Sequence, residues 1–187
     1  MRNMFNLIFM KRFMLLLIGA FLLSFTATAQ NENALYKKGY YGNMELDMGS
    51  TFGFSADAPD KGLNAGILTS HGYSSGYGLY VGAGAGLIFN TEDYSYISVP
   101  VFADIKYSFI DNDFSPFVSC KIGTVINDEL GAGVYCAPSL GVDMKRFSVF
   151  LKYDCGTGRT SWYSDMKLFT VDYTRHAFSV GLSYAFR

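Results

Sequence analysis

The chain has 187 residues, with 15 Lys plus Arg against 16 Asp plus Glu, 50% hydrophobic residues and 17% aromatic ones. That near-neutral balance excludes an electrostatic case for nucleic-acid binding, and the length suits one domain. Twenty glycines beside so many aromatics favour strands and tight turns over helices.

Arg2, Lys11 and Arg12 precede an uncharged apolar run from Phe13 to Phe25, which ends in the small-x-small site Ala27-Thr28-Ala29. The run is shorter than the roughly 18 residues of a spanning helix, and polar Gln30-Asn31-Glu32 follows it. Residues 1–29 therefore read as a cleaved signal peptide, and Met10-Lys11-Arg12 has by itself the form of a signal-peptide start. Its removal leaves 12 basic against 16 acidic residues, a net charge of −4.

Beyond a short N-terminal periplasmic segment at 30–39, period-two alternation predicts eight strands, near 41–54, 63–73, 77–90, 97–109, 116–126, 132–143, 147–154 and 175–186. The last is the clearest: Phe178, Val180, Leu182, Tyr184 and Phe186 share one face, with Ala177, Ser179, Gly181, Ser183 and Ala185 on the other. Ser74-Ser75-Gly76, Asp111-Asn112-Asp113 and Lys145-Arg146 form short polar turns of the hairpin kind. The intervening connections, around 55–62, 91–96, 127–131 and 155–174, are generally longer and end with the longest. Short turns at one end and longer loops at the other predict an eight-stranded antiparallel up-and-down transmembrane β-barrel over 40–187, with periplasmic turns and external loops.

Alternation alone would also describe a soluble barrel. The less apolar face of the strands at 77–90 and 175–186 is mostly Gly, Ala and Ser with no Lys, Glu or Asp, a surface that water would solvate poorly. Facing inward, it leaves the apolar face to lipid. The interior then receives a polar network of Glu45, Asp47, Asp104, Lys106, Lys121, Asp143, Lys152 and Asp154. Gly82, Gly84 and Gly86 make room there for Phe102, Phe117, Tyr135 and Phe150. An eight-stranded barrel is just wide enough for its own side chains, so the lumen is expected to be filled. Aromatic girdles are expected at Tyr41, Tyr73, Tyr77, Tyr107, Phe109, Phe147, Tyr184 and Phe186 on the periplasmic side, and at Phe52, Phe54, Phe89, Tyr94 and Tyr96 on the other.

The strand opening Gly39-Tyr40-Tyr41-Gly42, the strand Gly78-Leu79-Tyr80-Val81-Gly82-Ala83-Gly84-Ala85-Gly86 and the closing Ser179-Val180-Gly181-Leu182-Ser183-Tyr184-Ala185-Phe186 resemble the small outer-membrane β-barrel proteins of Gram-negative bacteria, of OmpA-like and OmpX-like architecture. The resemblance covers residues 36–187. It implies location in the outer membrane, contact with outer-membrane lipid and lipopolysaccharide, and insertion by the barrel-assembly machinery, which reads a terminal strand with a final aromatic; here Phe186 is penultimate, before Arg187. It implies architecture and leaves activity open, since such proteins serve structural, adhesive, channel-forming or secretion-linked roles.

Three cysteines pass through a compartment that permits disulfides. Pairing of the 116–126 and 132–143 strands about Asp128 would put Cys120 opposite Cys136, a candidate disulfide, and a turn at Lys145-Arg146 would put Cys136 opposite Cys155. Small lipid-facing thiols are the favoured reading. Zinc is not expected, for there is no C-x-x-C pair and no nearby His. Gly82-x-Gly84-x-Gly86 lies inside a strand and lacks the Lys of a phosphate loop, so no cofactor is expected.

Small barrels of the deacylase and palmitoyltransferase kind use His and Ser with a carboxylate. Here Ser70 and His71 fall on opposite faces, as do His176 and Ser179, and no His-x-Ser spacing occurs, so an enzyme is not expected. Acidic pairs Glu92-Asp93 and Asp128-Glu129 read as solvated loop charge rather than a divalent-cation site. The expectation is a non-enzymatic envelope barrel presenting loop residues such as Arg159, Trp162 and Tyr163, with a narrow channel or a secretion accessory as alternatives.

Overall fold

A computed structural model describes residues 34–53, 61–91, 95–127, 131–164 and 167–186, with the side chains of Lys61 and of 158–173 left aside. The expected signal peptide, Phe54, Tyr94 and both acidic loop pairs lie outside the described residues.

Eight antiparallel strands follow a short 3₁₀ turn, η1 (Ala34–Tyr36): β1 (Gly39–Gly53), β2 (Lys61–Ser74), β3 (Leu79–Thr91), β4 (Ser95–Ser108), β5 (Phe114–Asn127), β6 (Gly131–Met144), β7 (Phe147–Ser164) and β8 (Lys167–Phe186). Each pairs with its neighbours in sequence, and β8 pairs back onto β1 from Gly42↔Phe186 to Gly53↔Arg175, closing the barrel. Closure leaves no strand edge, so the ladder satisfies nearly all backbone polar groups, as a structure surrounded by lipid requires. Pro100 and Pro138, which have no N–H, each sit where one of their two ladders skips two residue pairs.

Side chains alternate faithfully between wall and lumen. Val81, Val101, Ile105, Val118, Ile122, Leu140, Leu151, Phe178, Val180 and Leu182 point outward and are exposed. Among the described side chains of the strands, every Asp, Glu, Lys and Arg points inward. A water-facing wall would show the reverse distribution, so this segregation marks a wall built for lipid.

The lumen is packed by aromatic rings seated against glycines. The Phe102 ring occupies the space that a Cβ at Gly84 would take, with Cε2 2.7 Å away. Phe117 lies likewise over Gly141, with Cε1 at 2.8 Å, and Phe150 over Gly181, with Cε2 at 2.6 Å. Of the three glycines expected to make room, Gly84 receives Phe102, while Gly82 lies against the Tyr80 ring and Gly86 against Leu68. Phe117 and Phe150 are accommodated by β6 and β8 instead.

Two expectations are corrected. The 155–174 loop is strand: β7 runs on to Ser164 and β8 begins at Lys167, paired from Gly158↔Tyr173 to Ser164↔Lys167. Pairing continues there although apolar alternation ends. The contrast between short and long connections shrinks accordingly, with 165–166 the shortest at its end and 54–60 the longest.

A side chain at Gly181 would meet both the Phe150 ring and the Leu46 carbonyl oxygen, the latter 2.8 Å from the added Cβ. Gly181→Val is expected to destabilise the folded barrel by about 2 kcal/mol through overpacking. Urea titration of the detergent-folded protein would read this as a lower unfolding midpoint.

Candidate functional site: the lumen and its closed end

The eight expected network residues all lie in the lumen, where they form ion pairs rather than a disordered charge cloud. At mid-height, β5 presents Lys121, whose Nζ donates to Glu45 Oε1 at 2.8 Å and stands 3.8 Å from Asp104 Oδ1. From β7, Lys152 Nζ donates to Asp47 Oδ2 at 2.6 Å and lies 3.5 Å from Asp154 Oδ2. Nearer the end where η1 sits, Lys106 Nζ donates to Asp143 Oδ1 at 2.6 Å and lies 3.9 Å from the centre of the Phe117 ring, a cation–π contact. All these side chains are almost completely shielded from solvent.

Hydroxyl and amide groups outside the expected charged set extend the network. Ser70 Oγ donates to Asp104 Oδ2 at 2.8 Å, Ser148 Oγ to Asp143 Oδ1 at 2.6 Å, and Ser108 Oγ to the other Asp143 oxygen. Asn43 Nδ2 donates to Glu45 Oε1 at 2.9 Å and Tyr135 Oη to Asp154 Oδ1 at 2.8 Å. Arg175 is a fourth buried cation, donating to Asn90 Oδ1. Its parity with Ala177 and Ser179 on β8 could have revealed it. Among the described residues the lumen thus holds five carboxylates and four cations.

One end of this lumen is closed by the chain itself. Leu35 is fully buried and clusters with Ala34, Tyr41, Tyr80 and Ala185. Ser74 Oγ donates to the Leu35 carbonyl at 2.6 Å, and Tyr36 Oη donates to the Ser108 carbonyl at 3.0 Å. The expected N-terminal segment is therefore, over Ala34–Tyr36, a stopper held by strand ends. No periodic signal could reveal so short a piece.

This arrangement corrects two girdle residues. Tyr41 points into the lumen and packs on Tyr80, ring centroids 4.8 Å apart, because it shares the inward parity of Asn43, Glu45 and Asp47. Tyr96 likewise points inward, sharing parity with Ser98. Tyr73, Tyr107, Phe109, Phe147, Tyr184 and Phe186 lie outside the lumen at the closed end, and Tyr77 stands highly exposed in the β2–β3 turn. Phe147 and Tyr184 touch at 5.1 Å, and Tyr107 and Phe109 at 5.2 Å. Tyr40 belongs with this group and was missed. At the opposite end Phe52 packs on Phe178, and Phe89 faces outward.

Both histidines face outward. His71 Nδ1 and Tyr40 Oη are 2.6 Å apart, and His71 Nε2 lies 3.1 Å from Thr69 Oγ1; His176 Nδ1 lies 2.6 Å from Tyr153 Oη. Ser70 is in the lumen with Asp104, so the wall separates it from His71.

The cysteines are unbridged and line the outer wall. Cys120 faces Pro138, and Cys136 faces Ile122, so the expected Cys120–Cys136 opposition is wrong by two residues: the β5–β6 hairpin is centred one residue later than Asp128. The expected opposition of Cys136 and Cys155 is present. No group of three or more His, Cys, Asp or Glu side chains able to hold a metal occurs among the described residues.

The fold is that of the eight-stranded barrels of the outer membrane, by closure, topology and the outward apolar wall. Among solved structures, the chain is similar to the outer membrane enzyme PagL, at 10% identity and a TM-score of 0.53, covering 76% of this chain and 98% of that one. It is similar to Neisserial surface protein A at 14% identity and a TM-score of 0.51, covering 79% and 97%. It is also similar to OprG from Pseudomonas aeruginosa at 11% identity and a TM-score of 0.51, covering 81% and 97%. No protein-family model and no curated protein matches the sequence. Likeness at these identities carries the fold, and the fold is shared by an enzyme and by barrels of other kinds.

Lys121 neutralises two buried carboxylates, and Lys121→Met leaves both without their cation. We expect a loss of about 3–5 kcal/mol, because an uncompensated buried charge is far costlier than the pair is stabilising. Lys121→Met combined with Glu45→Gln should recover a measurable part of that loss, read as the urea midpoint of the refolded barrel.

Proposed function

We propose that this protein is an integral outer-membrane barrel, exported by its N-terminal signal sequence, that acts without catalysis as a closed wall element and presents its loops at the cell surface. The observation that carries the reading is the lumen. Its cross-section is spanned by the Lys121–Glu45 and Lys152–Asp47 pairs and by Phe102, Tyr135 and Phe150, and its end is stopped by Leu35. A conducting path would have to break buried ion pairs, each replaceable by water only at considerable cost.

On this reading the stoppered end, which carries the barrel's first and last strand ends, faces the periplasm. The β1–β2, β3–β4, β5–β6 and β7–β8 connections face outward. The outer wall contacts lipid, the far rim contacts lipopolysaccharide, and the paired β8–β1 seam ending in Phe186 is the part offered to the barrel-assembly machinery. The extended β7–β8 hairpin, with Arg159, Trp162 and Tyr163, is the longest projection from the barrel and so the best placed for surface contact.

The excess, among the described residues, of one carboxylate over the lumen's cations favours a second reading, a narrow cation-selective channel. An enzyme would need a nucleophile beside a base, and the described histidines are hydrogen-bonded to tyrosines and a threonine on the wall.

Reconstitution of the folded protein in planar lipid bilayers distinguishes wall from channel. We expect no unitary conductance steps above the bare-bilayer baseline in concentrated potassium chloride; reproducible steps would replace the closed-wall reading with the channel. Expression in a Gram-negative host should leave the mass of lipid A unchanged.

A further inference from the structure

Cys136 lies between two other thiols on the outer wall. Cys120 lies diagonally from it on β5, and on the other side it stands in register opposite Cys155. We propose that Cys136 and Cys155 form a cross-strand disulfide in the mature protein, a covalent staple between β6 and β7, and that Cys120 stays a thiol.

Geometry selects the pair. Directly opposed residues of antiparallel strands have Cα atoms about 4.5–5.5 Å apart, inside the window of about 4.4–6.8 Å that a disulfide requires. Cys120 is opposite Pro138, so its relation to Cys136 is diagonal. Diagonal neighbours are about 7–8 Å apart, too far to bridge without moving backbone that the β5–β6 ladder holds continuously from Phe114↔Met144 to Asn127↔Gly131.

Placement gives the bridge a purpose. The β6–β7 ladder is broken where it would pair Ala137 with Asp154 and Pro138 with Tyr153. Pro138 has no N–H to donate, and in a closed wall no free edge exists on which to hide the loss. Cys136↔Cys155 is the first pair beyond that break, and Ser139↔Lys152 closes it on the other side. A bond between Cys136 and Cys155 ties the two strands directly beside that break.

The bridge rests on the proposed export to the outer membrane, since it needs an oxidising compartment. The oxidant is a periplasmic carrier with a reactive disulfide. One cysteine thiolate attacks a carrier sulfur to give a mixed disulfide, and the other displaces the carrier, forming the S–S bond. The carrier leaves as a dithiol, having taken up the two electrons and, overall, the two thiol protons.

The test uses full-length protein extracted in detergent from outer membranes of a Gram-negative host, unfolded in N-ethylmaleimide without reductant, digested with trypsin and analysed by mass spectrometry. Cleavage after Lys121, Lys145, Arg146 and Lys152 separates the three cysteines. A Cys136 peptide joined to a Cys155 peptide, with Cys120 alkylated, is the expected result. Alkylation of all three, or a Cys120–Cys136 link, overturns the staple while leaving the outer-membrane reading intact. Recovery of the protein outside the membrane fraction overturns both.

Discussion

The β8–β1 seam is the constraint from which the rest of this molecule follows. Once Phe186 pairs back to Gly42 and Arg175 to Gly53, eight strands have a fixed circumference, no edge and only two faces. In lipid that closure is obligatory, because no water is present to take up unpaired backbone groups. It also determines the size of the interior, which is about the width of the side chains that must fill it.

That narrow interior explains the odd composition. Rings as large as Phe102, Phe117 and Phe150 fit only because the facing positions are Gly84, Gly141 and Gly181. Charges expelled from the lipid wall have nowhere else to go, and in so small a volume each cation meets a carboxylate or another polar partner. The ion pairs are thus a consequence of segregation first and a source of rigidity second. Buried pairs contribute little net stability against an apolar filling, but they make the single correct strand register far better than a slipped one. A one-residue slip of β5 would send Lys121 into lipid and Ile122 into the charge cluster.

Strand alternation made most of this legible before any coordinates. Strand number and order, the inward face of β3 and β8, and the members of the charged interior all depend on period two, which a single sequence displays well. What escaped had other causes. Tyr41 looked like an interfacial aromatic by type, whereas its parity with Glu45 placed it inside. The β7–β8 hairpin beyond Gly158 lacks apolar alternation, so strand looked like loop. The β5–β6 register turned on the centre of one hairpin, where an offset of one residue moves every partner by two. Leu35 belongs to a three-residue turn and becomes a stopper only through tertiary packing that no local pattern encodes.

The central claim, a closed barrel whose wall is built for lipid, is tested most directly by electrophoresis of the detergent-extracted protein with and without boiling. A closed, hydrogen-bonded barrel resists the detergent until heated, so the unboiled protein should migrate as a distinct compact band that boiling converts to the mobility of the unfolded chain. A single mobility under both conditions, from protein recovered in the soluble fraction without detergent, would contradict the account.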